Sequence, residues 1–315
     1  MNARKLQIIG GKTYAVTLPK NWVKEANITP KDVIFIEEKD SETLILKTSS
    51  SKEKEIDQVF LNTENYKDNL AQAVFVSYYL GIETIIIYSK KGFDTKTKNI
   101  LKKALSQMSG TEIIYEDKNK IKIKTLLDHT KITINQIFFR ISLIISELTD
   151  NLINSDFDTI ENNENEIDRL YNLANKIILH STKNYGIKRD ESIKTPSLAL
   201  PYFLIAKKLE NIGDELYYIA NIVKKDKGLT PKIKEHVTIV REDIKIKVKY
   251  LITNKKTAIL KDTAIQSGTL KDKIGNIENI GLRIHFDRIL KAINDIETEI
   301  INISFYEELM KKSTI

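Results

Sequence analysis

The sequence predicts a multidomain α+β protein. A small β-rich unit is expected at residues 1–50, a small α/β domain at 51–125, and an all-α bundle of about six helices at 126–315. Three observations lead there. At 315 residues the chain is long for a single hydrophobic core. Its first fifty residues hold short apolar runs separated by turn residues. From Leu126 onward apolar residues recur at three- and four-residue steps, and no proline lies between Pro30 and Pro196.

Residues 4–9 and 13–18 carry Leu6, Ile8, Ile9, Tyr14, Val16 and Leu18 around Gly10-Gly11, a hairpin signal. Pro19 then opens a short amphipathic helix, Lys20–Ala26, because proline is tolerated in a first turn. After the turn Thr29-Pro30-Lys31-Asp32 come strands at Val33–Glu37 and Leu44–Lys47, and Trp22 is expected in the core of this unit. About fifty residues rarely close a core alone, so an obligate dimer or a supporting neighbour is expected.

The polar run 49–55 is a linker signal. Beyond it, strands are expected at Ile56–Leu61, Thr84–Tyr88, Glu112–Tyr115 and Ile121–Lys124, with helices at Tyr66–Leu80 and Thr95–Met108. No glycine-rich phosphate loop follows either of the first two strands, which argues against nucleotide binding there.

In the bundle, three seams run Ile134–Leu152, Leu198–Val223 and Leu282–Ile300 in alternating three- and four-residue steps, the spacing for shallow-angle antiparallel packing. Helix breaks fall near Ser155, Asn184–Pro196, Gly228–Pro231, Thr253–Lys256 and Gly275–Gly281.

Composition excludes several classes. There is no cysteine, hence no disulfide, thiolate metal site or cysteine nucleophile. The most apolar stretch, Ile132–Ile153, is broken by Arg140, Glu147 and Asp150, so no membrane insertion is expected. The chain opens on a strand pattern rather than a leader, and the cytoplasm is the expected compartment. His129, His180, His236 and His285 lack zinc-ligand spacing, and no Ser/His/Asp order is arguable.

Two features point to function. The net charge is +7, and residues 1–24 hold Arg4, Lys5, Lys12, Lys20 and Lys24 with no acid among them, which suits a DNA contact surface. Lys245, Lys247 and Lys249 are a weaker basic surface, since lysines two apart do not share one helix face. Carboxylates also interrupt the apolar order. Glu164 stands where the seam Ile160, Ile167, Tyr171, Ala174, Ile178 expects an apolar residue, and Asp168 lies one turn on. Glu210 and Asp214 repeat that spacing in the next helix. Residues four apart share a helix face, so two such pairs could converge on a hard cation.

Arg4-Lys5-Leu6-Gln7, Gly10-Gly11-Lys12-Thr13-Tyr14, Val16–Val23 and Ile28–Asp32 together resemble a SpoVT/AbrB-type domain, in the version fused to PhoU-like domains in archaeal proteins. The resemblance implies a swapped-hairpin β-barrel dimer whose basic face binds DNA. One departure is Lys31, where that family usually has glycine. Glu161–Tyr171 and Leu209–Asp214 resemble the two acidic motifs of PhoU, which implies metal ligation by Glu164, Asp168, Glu210 and Asp214. The second half has Glu278-Asn279-Ile280-Gly281 but Leu282 where the acid belongs, so a second cluster is expected to be degraded or absent.

These resemblances imply a non-enzymatic, homodimeric, DNA-binding regulator of phosphate uptake. Its bundle would hold a divalent or ferric cation and contact a phosphate-transport or sensor-kinase protein. The first rival is an adaptor that restrains a transporter or kinase without touching DNA. The second is a metal-dependent hydrolase, for which the sequence offers no general base.

Overall fold

The computed structural model describes residues 3–40, 43–48, 56–128, 131–183, 192–253 and 269–312. The expected linker at 49–55, His129, and the larger parts of the breaks at Asn184–Pro196 and Thr253–Lys256 lie outside them. The chain divides into two compact units at Glu55/Ile56.

In the first unit, β1 (Gln7–Ile9) and β2 (Thr13–Ala15) pair antiparallel with Ile8 opposite Tyr14. Gly10 and Gly11, in the three-residue turn 10–12 between Ile9 and Thr13, take φ +59° and +74°, left-handed values that glycine adopts without strain. Helix α1 (Lys20–Glu25) follows, then the antiparallel pair β3 (Phe35–Asp40) and β4 (Thr43–Lys47), with Ile36 opposite Leu46. Among the described residues these hairpins are separate two-stranded sheets, and no closed barrel forms within one chain. No side chain of the described N-terminal unit is fully buried; Trp22 is only half-buried.

The turn into β3 is held by Asp32, whose Oδ2 accepts from Thr29 N at 2.6 Å and from Thr29 Oγ1 at 2.9 Å. Those bonds hold the carboxyl below its ordinary range. Lys31 sits there at φ +89°, a left-handed conformation that costs a residue with a Cβ roughly 1 kcal/mol. Lys31→Gly is therefore expected to stabilise this unit by about 0.5–1 kcal/mol. Denaturant unfolding followed by the fluorescence of Trp22, the chain's one tryptophan, checks it.

The second unit opens with an α/β domain. Its sheet has the order β5-β6-β8-β7, built from β5 (Gln58–Asn62), β6 (Thr84–Tyr88), β7 (Thr111–Glu116) and β8 (Lys120–Thr125). Only β5 and β6 run parallel, and the helices α2 (Thr63–Tyr66) and α3 (Leu70–Tyr79) connect them. Helix α4 (Thr95–Ser106) leads from β6 to β7 and starts at Asp94, whose side chain accepts from Thr97 N at 2.7 Å. Val74, Tyr78, Ile85, Ile87, Leu101 and Ile121 form the core of this domain.

The bundle consists of α5 (Ile134–Asn154), α6 (Ile160–Lys183), α7 (Ala199–Lys225), α8 (Thr230–Ile252), a helical run at 269–274 (α9), and α10 (Ile280–Lys312). Thr133 starts α5 with a reciprocal capping box to Gln136, and Ser155 ends it in the left-handed conformation at φ +57°. Helix α7 packs on α6 and α10, while α5 packs on α6 and α8. The seam residues expected on α5, α7 and α10 are all buried in one continuous core.

Two lysines lie inside rather than outside. Lys247 is 0% exposed and pairs with Asp243 at 2.6 Å and Glu297 at 3.2 Å, so Lys245, Lys247 and Lys249 do not form one basic surface. An ion so deeply desolvated must be paired, and α8 and α10 supply its partners. Lys176 of α6 is 2% exposed, with Nζ 4.3 Å from the centre of the Tyr78 ring of α3. Burial pushes its ammonium down to about 8, against an opposing pull from Glu83. That contact helps join the α/β domain to the bundle.

Candidate functional site

The acidic site lies between α6 and α7. At Gly213 an added Cβ would stand 2.9 Å from Ile167 Cδ1, so glycine lets the two helices touch at the level of their carboxylates. Glu164 and Asp168 lie on either side of Ile167 on α6, and Asp214 follows Gly213 on α7. Each of these three acids offers an oxygen, and the three oxygens lie within 4.8 Å of one another.

All three are half-buried, and none forms an ion pair among the described residues. Burial raises the Asp168 carboxyl to about 6, with help from Glu164 and Glu210. Burial likewise raises Asp214 to about 6, helped by Glu210 and Asp168. Glu164 is also raised, by burial and then by Asp214, while Lys103 of α4 opposes the shift. Like charges held in a partly desolvated place are costly unless a proton or cation shares them. Three carboxylate oxygens suit a hard, oxygen-seeking cation.

Glu210, expected as a fourth ligand, is placed differently. Both of its oxygens accept from Lys207 Nζ, at 2.7 and 2.6 Å, and Lys207 also lies 5.2 Å from the centre of the Tyr171 ring. Lys207 lies just before the motif, three residues from Glu210, and their i,i+3 pairing is decided by which side chain can reach which.

Sequence reasoning missed Gln107. At the C-terminal end of α4, its Nε2 donates to Asp168 Oδ2 at 3.4 Å. Its carbonyl accepts from Asn172 Nδ2 at 3.0 Å, and Asn172 Oδ1 accepts from the Tyr79 hydroxyl. The α/β domain thus forms one wall of the acidic site. Nothing local marks Gln107, since the contact spans 61 residues of sequence. If the cluster binds a cation, Gln107→Ala should weaken that binding about tenfold by freeing Asp168, as loss of a ligand's supporting bond commonly does. Cation titration by calorimetry checks it.

The second half carries no comparable group of three acids or histidines among the described residues. Leu282 is buried, and Asp295 pairs with Lys208 at 2.6 Å. His285 binds Glu215 and stacks on Tyr218 at 5.5 Å, while His236 Nε2 meets the Lys273 carbonyl at 3.2 Å. Neither histidine joins the acids. In the N-terminal unit Arg4, Lys5, Lys12, Lys20 and Lys24 are all exposed, and Lys20 and Lys24 lie one turn apart on α1.

Fold and site together describe a two-part chain: a small cationic hairpin unit, and a helical bundle with an acidic cluster between two of its helices. Comparison with known protein families is more particular. Residues 7–54 match the family described as antidote-toxin recognition MazE, bacterial antitoxin, and residues 134–223 match the PhoU domain. The chain therefore has the architecture its motifs resemble, a MazE/AbrB-type segment followed by a PhoU domain. Both are regulatory rather than enzymatic domain families. The PhoU match spans α5, α6 and α7, the helices that carry and support the acidic cluster. No curated protein and no solved structure matches the chain. Among the described residues no helix is long and apolar enough to cross a membrane.

Proposed function

We propose that this chain is a DNA-binding regulator of phosphate uptake and homeostasis. Two copies join through their N-terminal hairpins and present Arg4, Lys5, Lys12, Lys20 and Lys24 to the DNA backbone. The PhoU-like bundle binds a divalent or ferric cation through Glu164, Asp168 and Asp214 and meets a protein of the phosphate-transport or sensor-kinase machinery. The observation that carries this reading is the pairing, on one chain, of a cationic MazE/AbrB-type segment with a PhoU segment whose carboxylates converge.

Two features support the separate parts. The N-terminal unit exposes nine large apolar side chains, Leu6, Ile8, Ile9, Tyr14, Val16, Val33, Phe35, Ile36 and Leu44, which a second copy would cover. From the register, Ile8 and Tyr14 share one face of the first hairpin, continued by Leu6 and Val16. The cation would hold the three carboxylates together at neutral pH, and no bond-making step is asked of it.

The test is a gel shift with a salt titration on the intact protein. Lys12→Ala/Lys20→Ala should weaken binding to every DNA sequence alike. It should also flatten the slope of log K against log salt by about 0.9 for each phosphate that is no longer neutralised. Unchanged affinity removes the DNA reading and leaves the adaptor that acts through protein contacts alone.

A further inference from the structure

The α/β domain contains a cavity of about 460 Å³, away from the acidic cluster. It opens at the carboxyl ends of the two parallel strands: Asn62 ends β5, Tyr88 ends β6, and the segments that follow each strand line the space. At this edge the strand-to-helix loops gather, and α2 and α4 begin after them. A volume of this size holds a small metabolite.

The walls are pinned rather than loose. Ser89 Oγ donates to the Gly92 carbonyl at 3.0 Å, and Phe93 N donates to the Lys118 carbonyl at 3.1 Å. Asn119 Nδ2 donates to the Ser89 carbonyl at 2.7 Å, and Asp117 Oδ1 accepts from the backbone of Asn119 and Lys120, each at 2.7 Å. The two turns that carry Lys91 and Lys118 are therefore tied to each other beside the cavity.

The charges in this place are unevenly satisfied. Lys91 and Lys118 both line the cavity, and neither makes an ion pair among the described residues. Asp94 is engaged on Thr97 N at 2.7 Å. Glu64 Oε1 accepts from Lys90 N at 3.0 Å, but Glu64 Oε2 is buried and has no hydrogen-bond partner. The cavity thus offers two free ammonium groups to an anion.

We propose that this cavity binds a small phosphorylated metabolite, its phosphate held between Lys91 and Lys118. The site is independent of the cation cluster and of the DNA surface. It gives the chain an input of its own in the domain that walls the acidic site.

Calorimetric titration of the full chain, in EDTA, with ribose 5-phosphate, inorganic phosphate and ribose tests it. Ribose 5-phosphate should bind saturably at one site per chain, inorganic phosphate more weakly, and ribose without detectable heat. Lys91→Ala/Lys118→Ala should weaken ribose 5-phosphate at least about tenfold, the loss expected for a charged contact. Both lysines are exposed, so this variant should keep its fold, and Lys118→Met alone gives a second measure. Absence of saturable binding overturns the proposal, as does equal affinity of the two anions, or affinity unchanged in the lysine variants. Affinity lost in Asp168→Asn/Asp214→Asn also overturns it, because the phosphate would then be held at the carboxylates.

Discussion

Replacing Asp168 and Asp214 together by asparagine should abolish specific cation binding and, in metal-free protein at neutral pH, should raise stability. Both results come from the same crowding. Three carboxylate oxygens within 4.8 Å attract a cation strongly, and two of the three charges disappear in the variant. The expected loss of affinity exceeds about 100-fold, well above the tenfold expected for Gln107→Ala. Cation at 100 times its dissociation constant should stabilise the parent protein by about 2.7 kcal/mol and the variant by nothing measurable.

The pH dependence has a definite sign. Asp168 and Asp214 titrate near 6 in the folded chain, against an ordinary value of 3.8. The folded state therefore holds these protons more tightly than the unfolded chain does. Metal-free stability should fall as pH rises from about 4 to about 6, then level off with respect to these groups. In the asparagine variant that segment of the profile should flatten. Cation affinity in the parent should weaken as pH drops below about 6, because protons and cation compete for the same oxygens. Unfolding curves with EDTA and with Mn²⁺, taken from pH 4 to 8, check all of this. Full cation content in the double variant would refute the site.

Ile8→Asp combined with Ile36→Asp should turn the proposed dimer into a monomer and unfold the N-terminal unit while the bundle stays helical. Ile8 and Ile36 are 63% and 65% exposed in the single chain, on opposite hairpins. Each such side chain, once covered, contributes roughly 1.5–3 kcal/mol, so two of them can exceed the whole stability of so small a unit. A carboxylate on each surface makes covering it unfavourable. Light scattering should report the monomer, and Trp22 emission should shift red. Far-UV circular dichroism should change little, because most of the helix lies beyond Ile134. DNA binding should fall to background. A parent protein that is monomeric with a folded N-terminal unit would contradict the dimer.

Much of the fold was legible because it rests on local periodicity. The seams at Ile134–Leu152, Leu198–Val223 and Leu282–Ile300 are buried as expected, since a three- and four-residue repeat leaves a helix one face to hide. Gly10-Gly11 and Asp32 specify their turns through their own backbone and side-chain preferences, and the hairpins follow at nearly the expected residues. Lys31 marks where that reasoning meets a residue poorly suited to its conformation. The strands of the α/β domain were legible from their β-branched runs, but their order, with β8 between β6 and β7, was not.

The candidate site divides in the same way. The sequence alone determined that Glu164, Asp168, Glu210 and Asp214 would share helix faces, because residues four apart always do. It also determined that the first 24 residues present only positive charge. Only the tertiary structure decided that Glu210 is bound by Lys207 while the other three acids converge. It alone placed Gln107 against Asp168, sank Lys247 between Asp243 and Glu297, and brought two unpaired lysines to one cavity. The reason is physical. Spacing along a helix sets the direction in which a side chain leaves it. Which group that side chain meets depends on how closely two helices approach, and here that is set by a glycine against an isoleucine 46 residues earlier, at Gly213 and Ile167.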